Sequence, residues 1–130
     1  MTPQVLDTNV LLFFLQDDPR LPTGAARRIE NPRHRSLVSM ASLWEISIKS
    51  SLGKLRFPPG ESDDFPQVLE SLGFELVPIR WSAMRKAAQL PRHHRDPFDR
   101  LLVAEALSLN APILSTDNRF DAYGVERIGK

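Results

Sequence analysis

The sequence predicts an α/β domain whose central sheet is mainly parallel and about four to five strands wide, flanked by helices. Three observations carry that expectation. Short apolar runs end at polar or acidic residues, amphipathic stretches follow them, and no repeat, low-complexity segment or second boundary interrupts the 130 residues. Strands alternating with helices at these lengths are what crossovers between parallel strands require.

Taken in order, Pro3 to Leu6 is an extended apolar segment, and Asp7-Thr8-Asn9 offers caps for a helix through the apolar run Val10 to Leu15. Gln16 to Pro22 reads as loop, and Thr23 can cap a short helix through Glu30 that Asn31-Pro32 terminates, with Arg27 and Arg28 solvated. Ser36 to Ser39 is a second strand, after which Ala41, Trp44, Ile48 and Leu52 recur at helical spacing until Gly53. Leu55 to Gly60 is a Pro-rich connection, and Ser62-Asp63-Asp64 opens a helix holding Val68, Leu69 and Leu72 that stops at Gly73. Phe74 to Val77 is a third strand, and Trp81 to Leu90 is a helix ended by Pro91.

Asp96 is a good N-cap and Pro97 the favoured first residue of the next helix, which places Asp99 at its third position. Phe98, Leu101, Leu102, Glu105 and Leu109 form a stripe that is apolar apart from Glu105 and points into a core. Ala111 to Ser115 is a buried strand reaching Thr116-Asp117, and Val125 to Ile128 can add a short edge strand.

Composition excludes several classes. No cysteine means no disulfide, thiolate metal site or cysteine nucleophile. The longest apolar run, Val10 to Leu15, is far too short to span a bilayer, and Met1-Thr2-Pro3-Gln4 carries no basic region, so a cytoplasmic protein without membrane contact is expected. A net charge of +1 confines any nucleic-acid binding to local patches.

Asp7 and Asp117 each follow an apolar strand, and in an open parallel sheet such positions come out at the edge where ligands bind. Each also has a plainer reading, as a cap and as a turn residue. Glu45 has two readings as well: an i, i+4 surface pair with Lys49 worth about 0.2–0.5 kcal/mol, or a side chain leaning over the sheet edge. Asp96 and Asp99 share one helix end, where both can answer free N–H groups.

Val5-Leu6-Asp7-Thr8-Asn9, Ser42-Leu43-Trp44-Glu45-Ile46, Asp96 to Ala104 and Leu114-Ser115-Thr116-Asp117 resemble, in order and spacing, the four acidic motifs of PIN-domain ribonucleases. The chain looks most like the VapC toxins of bacterial toxin–antitoxin pairs, especially the branch that closes on Phe120-Asp121-Ala122-Tyr123-Gly124-Val125. The resemblance implies one PIN-like nuclease domain over residues 1–130, with an acidic catalytic and metal site on Asp7, Glu45, Asp99 and Asp117 and with Asp96 on its rim. Ser115 stands where the family commonly has Thr, which keeps the hydroxyl. The implied partners are an RNA substrate (tRNA and rRNA being the candidates), a VapB-like antitoxin, and a second copy in a homodimer. The antitoxin would lay an apolar segment over helices near the site and place a basic side chain among the acids.

Physics explains why such a site takes metal. Two carboxylates about 5 Å apart repel by roughly 3 kcal/mol at an effective dielectric near 20, so four converging ones need a cation or protons. Hard oxygen ligands select Mg²⁺, with Mn²⁺ as substitute, for metal-assisted phosphodiester hydrolysis. Arg92, His93 and Arg95, with Thr8, Asn9, Asp96, Ser115 and Thr116, are candidates for holding the substrate, and Arg33 to Arg35 are either a second phosphate patch or solvated charge. The histidines offer no metal-ligand spacing, and His93-His94 read as surface or phosphate contacts. A phosphatase with an Asp-x-Asp pair is disfavoured by Asn9, and no P-loop pattern occurs. The alternative from another class is a non-catalytic PIN-like RNA-binding scaffold, which would not require all four acids.

Overall fold

The computed structural model describes residues 2–129; Met1 and Lys130, the two ends of the expected 1–130 span, lie outside the described residues. β1 (Thr2–Leu6), β2 (His34–Ser39), β3 (Glu75–Val77), β4 (Ile113–Leu114) and β5 (Arg127–Ile128) form one sheet in the order β3-β2-β1-β4-β5, with every neighbouring pair parallel. Around it lie α1 (Thr8–Leu15), α2 (Thr23–Glu30), α3 (Met40–Ser51), α4 (Phe65–Ser71), α5 (Trp81–Gln89) and α6 (Pro97–Ser108), with 3₁₀ turns at Pro58–Glu61 and Asn118–Tyr123. The α/β class, the parallel sheet and the edge position of the last strand are as the sequence predicts.

Strand periodicity divides the core. Leu6, Val38 and Leu114 join α1, α3 and α4 on one face through Val10, Leu11, Leu43, Ile46 and Leu69, while Val5, Leu37 and Ile113 join α6 on the other through Leu102, Val103 and Ala106. A sheet covered on both faces reads as continuous apolar segments rather than alternating ones. Burying one such side chain is worth about 1.5–3 kcal/mol, so β1, with Val5 and Leu6 both almost fully inaccessible, is the sheet's centre energetically as well as topologically.

Several expectations change in detail. In α3 the buried face holds Ala41, Ser42, Leu43, Glu45, Ile46 and Ser50, whereas Trp44 and Leu52 are 59% and 61% exposed, so of the expected stripe Ala41, Trp44, Ile48 and Leu52 only Ala41 is fully in the core. Trp44 instead meets Phe98 edge-on at 5.4 Å, and this rotation turns Glu45 inward. Leu109 is likewise exposed at the end of the α6 stripe. Thr23 is the first residue of α2 rather than its cap, which is Pro22. Arg28 is not solvated: its Nε donates to Oε1 of the buried Gln4 at 3.1 Å. The run Val10 to Leu15 is largely used by the core, since Val10, Leu11 and Leu12 are buried and Phe13 to Leu15 half-buried, with Phe14 edge-on to Phe74. Among the described residues no helix is long and apolar enough to cross a membrane.

Candidate active site

β1 lies between β2 and β4, so the chain runs outward to β3 on one side and resumes at β4 on the other; the carboxyl ends of β1 and β4 therefore frame the sheet's switch point. Leu6 pairs with Leu114, which sets Asp7 and Ser115 side by side just beyond the two strands. Ser115 Oγ donates to Asp7 Oδ2 at 2.8 Å and accepts from the Asp117 N–H at 2.9 Å. Asp7 occupies the N-cap position of α1, yet its carboxylate makes no capping bond; it is spent on Ser115 instead. Asp117 does serve its plainer role in part, capping the following 3₁₀ turn by accepting from the Arg119 N–H.

An open pocket of about 310 Å³ forms at this edge, and Asp7, Glu45, Asp99 and Asp117 line it together with Thr8, Asn9, Arg95 and Asp96. Four carboxylates thus arrive from the end of β1, the second turn of α3, the first turn of α6 and the segment after β4. Asp96 caps α6 as its sequence suggests, with Oδ1 accepting from the Phe98 N–H at 2.9 Å. Thr8 is buried and donates to Ser42 Oγ at 2.8 Å, so its hydroxyl already has a partner. Arg92, His93 and Thr116 are exposed and do not line the pocket: His93 packs edge-on against Tyr123, and the turn after Ser115 faces Thr116 away.

Three further side chains line it: Lys49, which the sequence offers only as a surface partner of Glu45, His94, which it offers only as a surface or phosphate contact, and Arg119, which it does not single out. Lys49 Nζ donates to Glu45 Oε2 at 2.7 Å, so the i, i+4 pair exists, but at the mouth of the pocket rather than on an open helix face. Arg119 grips both oxygens of Asp117. His94 is 3% exposed, the opposite of a surface residue, and its Nε2 lies 2.9 Å from Asp99 Oδ2 and 2.8 Å from Asp117 Oδ2. No spacing rule finds it, because its partners lie in α6 and beyond β4; the one signal in the chain is its place directly before the capped start of α6.

Electrostatics separate the four acids. Burial pushes Asp7 up to about 6, with the charges of Glu45 and Asp117 adding to the rise and the Ser115 hydroxyl opposing it. Burial, then the charges of Asp7, Asp96, Glu45 and Asp117, push Asp99 up to about 8. For Asp117 burial also acts upward, but the Arg119 guanidinium and N–H and the His94 ring outweigh it and hold the carboxyl at about 2. Glu45 is 4% exposed and its Oε1 has no hydrogen-bond partner among the described residues. An orphaned, inward-facing oxygen beside two carboxyls that resist ionisation is a donor set short of positive charge, and its all-oxygen acidic members suit a hard divalent cation.

A family model described as the PIN domain matches residues 5–126. Among solved structures, VapBC2 from Rickettsia felis, bound to a DNA fragment from its promoter, has a chain 13% identical to this one at a TM-score of 0.67, with 98% of each chain covered. VapBC-1 from nontypeable Haemophilus influenzae matches at 15% identity and a TM-score of 0.67, again over 98% of each chain. VapBC-5 from Mycobacterium tuberculosis, a member of a family of toxin–antitoxin systems, matches at 20% identity and a TM-score of 0.60 over 100% of both. No curated protein matches the sequence. At these identities the solved structures speak for the fold; the family match, which runs from near the end of β1 to the residue before β5 and takes in all five pocket acids, makes this chain a member of the PIN domain family.

Proposed function

We propose that the chain is a metal-dependent endoribonuclease, hydrolysing RNA phosphodiester bonds, and that it acts as the toxin of a VapBC-type toxin–antitoxin pair. The observation that carries the enzymatic reading is the convergence of Asp7, Glu45, Asp99 and Asp117 on one open pocket at the sheet's switch point, with Glu45 Oε1 buried and unanswered. These four residues would hold Mg²⁺, or Mn²⁺ in its place. When bound, such an ion supplies a more acidic water and a positive charge against the scissile phosphate.

The chain's own residues do the rest. Ser115 holds Asp7 in its ionisable geometry, and Asp96 fixes the start of α6 and hence Asp99. Arg95 stands at the pocket as a cation for a phosphate beside the cut, with Lys49 and Arg119 near it but paired to Glu45 and Asp117, and Asn9 offers an amide at the same rim. Membership of the PIN family and the likeness to chains from toxin–antitoxin complexes support the biological half of the proposal, including a VapB-like antitoxin partner; a homodimer belongs to the same reading.

The test is cleavage of a mixed RNA by the purified chain, with Mg²⁺, with Mn²⁺ and with EDTA, beside Asp99→Asn. Cleavage that needs the metal and Asp99 is the expected result. RNA binding without cleavage under any of these conditions would instead identify a non-catalytic scaffold.

A further inference from the structure

His94 is held by Tyr123 and Phe120 of the closing segment and by residues around the start of α6. Its backbone N–H donates to Tyr123 Oη at 2.8 Å, and that hydroxyl donates onward to the Pro91 carbonyl at 2.6 Å. Arg100 of α6 donates through Nη1 to the carbonyls of His94 and Arg95, at 3.0 and 2.9 Å. The imidazole lies tilted on the ring of Phe120, which is fully buried, at 5.4 Å between centroids. Nδ1 lies 3.4 Å from the Asp96 backbone nitrogen, an arrangement that suits the tautomer with its hydrogen on Nε2, and Nε2 faces Asp99 and Asp117 together. A buried imidazole clamped at its backbone, at its ring face and at its far nitrogen is aimed, and what it is aimed at is two carboxylates from different elements.

We propose that His94 is a positioning residue of the acidic site: its Nε2–H joins the Asp99 and Asp117 carboxylates, so that they meet an incoming divalent cation as one preassembled pair. This rests on the metal-dependent reading above and deepens it. Without His94, Asp99 at the start of α6 and Asp117, drawn outward by the exposed Arg119, have no common partner among the described residues. Hydrogen bonds to metal-binding carboxylates from outside the ligand set are the usual means of fixing them. Tyr123, Arg100 and Phe120 act one step further out by fixing His94.

The test uses the full chain and Mn²⁺ alone. Titration calorimetry is run on the wild type, His94→Gln and His94→Asn, with melting in EDTA as the check that each variant folds. Gln places an amide N–H near the position of Nε2, whereas Asn reaches only as far as Nδ1. Mn²⁺ affinity close to wild type in His94→Gln and weaker by about 10–100-fold in His94→Asn is the expected result. Equal affinity in His94→Asn and wild type overturns the proposal, as does an equal loss in both variants. Electron spin-echo modulation from a directly bound imidazole nitrogen in the Mn²⁺-loaded wild type also overturns it, because His94 would then be a ligand. If His94→Asn does not fold, Tyr123→Phe, which removes only the hydroxyl holding the His94 backbone, carries the test, and unchanged affinity there overturns it. A wild type that binds no Mn²⁺ defeats this inference and the metal-dependent reading together; a wild type that binds Mn²⁺ and cleaves RNA beside an unaffected His94→Asn defeats this inference alone.

Discussion

The Ser115 hydroxyl ties Asp7 to Asp117: it donates to Asp7 Oδ2 at 2.8 Å while accepting from the Asp117 N–H at 2.9 Å, across 108 residues of chain in the first case. One hydroxyl thus aligns acids from two neighbouring strands, and it opposes the burial that pushes Asp7 up to about 6. Ser115→Ala should cost about 1–3 kcal/mol, the usual penalty for removing one partner of a buried hydrogen bond. Ser115→Thr should keep the bond and the stability. Denaturant melts of the two variants check this; an Ala variant as stable as the Thr variant would show that the hydroxyl orders nothing.

Metal-free stability should fall as the pH rises. Asp7 at about 6 and Asp99 at about 8 both lie above their ordinary 3.8, so between those limits the folded chain binds more protons than the unfolded chain. Their stabilising contribution is present in acid and is lost as pH rises through the folded values. Asp117, held at about 2, works in the opposite sense, but its contribution is lost only below 3.8. Melting in EDTA from about pH 5 to about pH 8 should therefore show a declining Tm, with the decline reduced by millimolar Mg²⁺ or Mn²⁺, which compete with protons for the same oxygens. A Tm that climbs over that range without metal contradicts the assignment.

The sequence made the scaffold legible because local signals and tertiary demands agree in it. Asp96 and Pro97 start α6 where a cap and a first-turn proline should, and the carboxyl ends of β1 and β4 follow from the parallel order. Glu45 was legible only as a position after a strand. Its inward direction depends on Trp44 leaving the core to meet Phe98 edge-on, a choice between two faces of one helix that periodicity alone does not make. His94 and Arg119 were illegible for another reason: an imidazole answering Asp99 and a guanidinium answering Asp117 are products of the folded pocket, with no spacing of their own. Arg92, His93 and Thr116 show the converse, since closeness to a motif in the chain does not place them in the pocket lining.

The two aspartates of α6 should separate by their roles. Asp99→Asn removes a charge that burial and four neighbouring acids oppose, so it should raise the metal-free Tm near pH 8 while abolishing metal-dependent cleavage. Asp96→Ala loses the bond to the Phe98 N–H and should cost about 0.5–2 kcal/mol while leaving part of the activity. Asp96→Asn keeps a cap of equal quality. If it proves as inactive as Asp99→Asn in single-turnover cleavage, Asp96 belongs among the metal ligands and the division of roles fails.

Glu105 gives a prediction independent of the pocket. It lies on the buried face of α6, 4% exposed, with neither oxygen in a well-formed hydrogen bond, and burial pushes its carboxyl up to about 7 although the Ser39 hydroxyl offsets part of the rise. A folded value above the ordinary 4.5 means that the neutral acid is favoured in the core, so Glu105 withdraws stability as the pH rises through that interval. Glu105→Gln replaces the neutral acid with a neutral amide of the same shape and cannot ionise. The variant should match the wild type near pH 5 and exceed it near pH 8, the gap growing by no more than about 1.4 kcal/mol per pH unit, the limit for one titrating group. Paired denaturant melts at both pH values decide the matter, because every other titrating group is common to the two proteins; a gap that stays constant or narrows with pH would mean that Glu105 is already ionised and answered within the core.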